Sequence, residues 1–135
     1  MQEYNTFNAQ PKIKTDYRNT KMPYTLLNDV RYQSSIIDGK SVKVYINKGF
    51  KWNGADIVPI LWGAILGSRF NPDYLPASMV HDYCCNNKPK FTNKEASVMF
   101  RDILVMYGVN KIKADTMMYA VWFFQGLWFN KGWKK

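Results

Sequence analysis

The chain has 135 residues, the size of one ordinary domain. Its 47% hydrophobic and 21% charged residues exclude a globally disordered chain and provide enough apolar mass for a core. The net charge of +9 is spread evenly, nine basic and five acidic groups over residues 1–67 and ten and five over 68–135. A dedicated nucleic-acid site would more often gather its cations on one helix or arm.

An acidic partner remains compatible with the sign of the charge: an anionic membrane surface, DNA or an acidic protein. Aromatics at 16% point to a bulky core or an adhesive surface. The two cysteines, Cys84 and Cys85, are neighbours. A bridge between adjacent residues strains disulfide geometry, so both read as free thiols in a reducing compartment. Met1 to Asn5 shows neither a basic start nor an apolar run, and no signal peptide is expected.

Residues 1–21 are polar, without periodicity, and read as an arm ahead of a single domain over 22–130. From Tyr24 to Trp52 the pattern is β: Ser41 to Ile46 alternates with period two, and Asp38-Gly39 supplies a tight hairpin turn. The period then changes. Pro59 to Leu66 reads as a short helix opened by its proline, and a second helix runs from Asp73 or Pro76 to Cys85. Thr92-Asn93-Lys94-Glu95 is a capping box, opening a helix whose stripe is Ala96, Phe100, Ile103, Leu104 and Tyr107 and whose stop is Gly108. Asn110 caps a last helix reaching about Phe129. The expected fold is α+β: an N-terminal antiparallel hairpin or small sheet, then three to four helices.

Met117 to Phe129 is nearly all apolar, yet shorter than the ~20 residues a bilayer span needs. It reads as a core helix. The alternative is an interfacial anchor, with Trp128, Trp133, Lys134 and Lys135 at the lipid headgroups and 131–135 as a basic tail.

A single histidine, His81, removes zinc sites built from several histidines. His81 and Asp82 are adjacent on a helix, about 100° apart, so neither orients the other. Cys85 shares a face with His81, a pairing on which a thiolate nucleophile would depend. In the loop Trp52-Asn53-Gly54-Ala55-Asp56, Gly54 permits unusual backbone angles, and Asp56 with backbone carbonyls suits a hard cation. The simpler reading is a turn in which Asn53 and Asp56 cap the helix starting near Pro59.

Taken in order, Tyr24–Tyr32, Gly49–Pro59, Ala77–Tyr83, Ala96–Phe100 and Met118–Val121 resemble an uncharacterised small domain of tailed phages and prophages. Its pattern carries a Gly-Phe-x-x-Asp-Gly-Ala-Ser-x-Pro loop and a His-Asp-Tyr helix. This chain departs from it at Asn53, Asp56 and Ser97, and Cys84-Cys85 replaces the usual Leu-Tyr. A more distant likeness, to phospholipase A2, implies His81 as a base, Asp82 with Gly54 and Asp56 as calcium ligands, and Asp102 or Ser97 as the group orienting His81.

Two functions follow. One is a phage structural or accessory protein, in the virion or tail or in the host cytoplasm, packed against other phage structural proteins. The alternative is a metal-assisted hydrolase of lipid ester or cell-envelope bonds, with Ca2+ as cofactor.

Overall fold

A computed structural model describes residues 4–16, 18, 19, 21–53, 72–127 and 131–134. Antiparallel sheets come first and helices after, an α+β fold. The chain divides into a sheet unit, residues 1–53, and a helical unit, residues 54–135.

The sheet unit holds two three-stranded sheets. In the first, β4 (Val30–Ile37) lies between β1 (Thr6–Phe7) and β5 (Lys40–Ile46). The Asp38-Gly39 turn joins β4 to β5 with both residues at positive φ, 51° and 88°, as a type I′ hairpin requires. Opposed pairs Val30↔Ile46 and Tyr32↔Val44 bury one face, while Arg31 and Tyr45 pair on the other with the guanidinium 5.4 Å over the ring. A bulge between Gln33 and Ile36 then shifts the alternation by one, leaving Ile36 exposed and Ile37 buried. Ser34 fills the bulge: its hydroxyl accepts from the Val42 N–H at 2.7 Å and donates to the Ser35 carbonyl.

In the second sheet β3 (Tyr24–Leu26) lies between β2 (Ile13–Thr15) and β6 (Lys51–Trp52). Tyr24 and Trp52 face each other across the ladder, rings 5.5 Å apart and both buried. The segment that reads as an unstructured arm thus contributes strands β1 and β2. Side chains assist: Asn8 accepts from the Arg31 N–H at 2.7 Å and Asn28 from the Lys12 N–H at 2.9 Å.

Three helices are described in the helical unit. A 3-10 turn, Pro72–Tyr74, leads into α1 (Leu75–Asn86), which has proline in its first turn. A second such turn, Lys88–Lys90, precedes α2 (Asn93–Met106). The α2 capping box is complete: Glu95 N–H donates to Thr92 Oγ1 at 2.9 Å, and Thr92 N–H to Glu95 Oε1 at 2.8 Å. Gly108, φ 92°, ends the helix, with N–H bonds from Gly108 to the Val105 carbonyl and from Val109 to the Leu104 carbonyl. Asn110 then caps α3 (Lys111–Leu127) by accepting from the Ile112 N–H at 2.8 Å. The expected helix at Pro59–Leu66 lies outside the described residues.

The core of this unit is the α1–α2–α3 contact. Ala77, Met79 and Val80 of α1, Ala96, Met99, Phe100 and Ile103 of α2, and Ala114, Met117 and Val121 of α3 are all fully buried. No described helix is long and apolar enough to cross a membrane.

Candidate functional site

Helix α1 is buried almost from end to end, from Leu75 through Asp82 and again at Cys84. His81 therefore enters the interior with the buried helix that carries it. Its imidazole has no exposed surface and lies against the Phe100 ring of α2, centroids 5.4 Å apart and tilted by 59°. One turn on, Cys85 Sγ sits 3.7 Å from Nδ1, the i,i+4 neighbour that the sequence places on the same face. Asp82 is buried beside it, only 4% exposed.

Of the groups that the phospholipase A2 likeness would assemble around His81, Asp102 pairs with Arg101 and Ser97 bonds back within its own helix. Asp102 follows Phe100 by two residues, about 200° further round α2, and accepts from Arg101 at 3.0 Å. The same guanidinium reaches Asp115 of α3 at 3.6 Å, so Arg101 and its two carboxylates tie α2 to α3. Ser97 donates to the Asn93 carbonyl, one turn back on its own helix, at 2.9 Å. Of the three residues expected as calcium ligands, Asp82 is buried in α1, and Gly54 and Asp56 lie outside the described residues. Among the described residues no three His, Cys, Asp or Glu side chains are grouped to hold a metal. Two grooves among the described residues of the helical unit are lined by residues of α2 and α3.

Neither cysteine is in a disulfide. Burial pushes the Cys84 thiol far above its ordinary value, and the nearby Glu95 and Asp82 carboxylates push it further. A thiol so held is neutral and inert, which leaves Cys85, half exposed beside His81, as the accessible one.

Of the expected interfacial residues, Trp128 and Lys135 lie outside the described residues. Trp133 is half-buried, with the Lys88 ammonium 5.1 Å above its ring. The Lys134 side chain is exposed, while its N–H donates to the Phe91 carbonyl at 2.8 Å.

What the sequence alone does not locate is the outer side of α3. Its buried stripe is Ala114, Met117, Val121 and Gln125. The opposite side should be polar on a surface helix, yet Ile112 is 79% exposed, Tyr119 61%, Phe123 58%, Leu127 54% and Trp122 48%. Two grooves flank Trp122. One, of about 420 Å³, runs between α2 and α3 past Lys94, Val98, Arg101, Met118 and Tyr119; the other, of about 300 Å³, is bounded by Asn93, Phe123 and Leu127. The signal is present as an apolar run, but a run apolar on every side gives the period nothing to mark as outward.

Among known proteins, the chain is similar to the uncharacterized protein y4iH of Sinorhizobium fredii (strain NBRC 101917 / NGR234), 34% identical over 92 residues. That stretch is 68% of this chain and 38% of the relative, so the chain spans about two fifths of the relative's length. No solved structure matches it. The model of the family described as "Protein of unknown function (DUF1353)" matches residues 24–121, from β3 into the second half of α3. The chain therefore belongs to the DUF1353 family.

Proposed function

We propose that this protein is a structural or accessory component of a phage or prophage, working by contact with other components of the particle rather than by turnover. The observation that supports this most is the inversion of the helical unit: its one imidazole is sealed against Phe100, while Tyr119, Trp122, Phe123 and Leu127 face outward. Contiguous exposed apolar surface is costly to a free protein and marks a surface that is covered in use. A general base, by contrast, needs reach to the water or group it deprotonates.

The second reading, metal-assisted hydrolysis of a lipid ester or cell-envelope bond with His81 as base, is supported by one feature. A histidine and a carboxylate lie side by side in the interior, where polar groups are expensive unless used or satisfied.

Purified wild type and His81→Ala, matched for fold by circular dichroism, separate the two. The contact reading expects no calcium-dependent ester hydrolysis from either, and expects the tagged chain to appear in purified particles. Calcium-dependent turnover that disappears in His81→Ala would replace it with the hydrolase.

A further inference from the structure

We propose that the outer side of α3 seats on an anionic lipid bilayer surface; this rests on the contact reading only in taking that side as covered in use, and assigns lipid rather than a particle protein as what covers it. The helix is 17 residues long, about 25 Å at 1.5 Å per residue. Its buried stripe fixes it lengthwise on the unit, so the opposite side is presented along its length. What it presents is Ile112, Tyr119, Trp122, Phe123 and Leu127, an aromatic-rich set of the kind that settles at the boundary between headgroups and acyl chains.

The charges select lipid of one sign. Of the five acidic side chains described in the helical unit, Asp73 alone is exposed; Asp82 and Glu95 are buried, and Asp102 and Asp115 share Arg101. Five lysines there are exposed: Lys90, Lys94, Lys111, Lys131 and Lys134. Lys111 is the first residue of α3, Lys131 follows its end, and Lys94 borders the groove beside Trp122. Cations thus stand at both ends of the apolar side and along one flank. Apolar insertion and a basic surface are the two signals that together hold a protein on an anionic membrane where either alone is weak. A second copy of the chain fits less well, because two molecules of charge +9 would bring their cations together.

Flotation of the full chain with vesicles of phosphatidylcholine alone, and of equal parts phosphatidylcholine and phosphatidylglycerol, tests this. Binding is expected to the mixed vesicles, weakening as salt rises. It should fall at least tenfold in Trp122→Ser/Phe123→Ser and roughly fivefold for each of Lys111→Gln and Lys131→Gln. All these side chains are exposed, and thermal midpoints matched to wild type keep a folding defect from imitating the result. Equal binding to both vesicle types, or to neither, overturns the proposal. So does a dimer in light scattering that Phe123→Ser makes monomeric. A chain that enters particles but does not float loses the lipid assignment and keeps the contact reading. Ester turnover through His81 removes the contact reading itself, whatever the flotation shows.

Discussion

Helices α1 and α3 belong to one unit and each departs from the usual sorting of side chains, in opposite senses. α1 takes His81 and Asp82 inside, where a helix of this composition offers ample apolar alternatives. α3 buries Gln125 and leaves Trp122 and Phe123 in water. Buried polar groups must find partners inside and exposed large apolar ones gain nothing from burial, so neither choice is the simplest route to a stable helix. Sites of function are where such local rules are broken, and the two departures differ in what they can reach. The polar pair of α1 is buried, whereas the apolar side of α3 is open to solvent.

The largest test of that contrast is Phe100→Ala. If Phe100 is the wall that seals His81, its loss leaves a cavity at the α1–α2 contact and lowers stability by about 3–5 kcal/mol in urea unfolding. A loss under about 1 kcal/mol would mean that the wall is not packed. The next concerns pH. Cys84 stays neutral in the folded chain, through burial first and then the Glu95 and Asp82 carboxylates, but ionises in the unfolded chain above about pH 9. Unfolding there releases a proton, so stability complete below that pH is lost as pH rises, by up to about 1.4 kcal/mol per pH unit from this group. Cys84→Ala should remove that share of the slope; parallel curves for the two proteins would show that α1 is not closed around the thiol. The smallest effect is Ile112→Ser, expected within about 0.5 kcal/mol of wild type because the side chain is 79% exposed. A loss above about 1.5 kcal/mol would mean that the α3 side is covered within the chain.

Features that depend on a few neighbouring residues could be read from sequence. Thr92 and Glu95, Asp38 and Gly39, Gly108, and Asn110 each satisfy backbone groups within four residues, and the structure places all of them as read. Strands β1 and β2 could not be read this way. They are two and three residues of polar chain, and their ladder partners, Tyr32 for Phe7 and Leu26 for Ile13, lie 13 or more residues away. The bulge at Gln33–Ile36 was hidden for a related reason, since it comes from pairing and not from a breaker residue. At the site, the 100° step separating His81 from Asp82 and the shared face of His81 and Cys85 follow from helix geometry, but the neighbour of His81 on α2 does not. Phe100 and Asp102 both lie on α2, and only the rotation of that helix about its own axis decides which side chain meets the imidazole.

Asn93 adds a consequence of its own. Its side-chain amide donates to the Trp122 carbonyl at 3.0 Å, in the second half of α3, from the first residue of α2. Arg101 adds a second tie through Asp115. Together they hold the outer side of α3 at a fixed pitch before anything arrives. Association therefore loses little backbone freedom at the moment of contact, and selection among partners falls to the escape rate. Asn93→Ala should shorten the lifetime of the bound state while leaving the rate of arrival nearly unchanged.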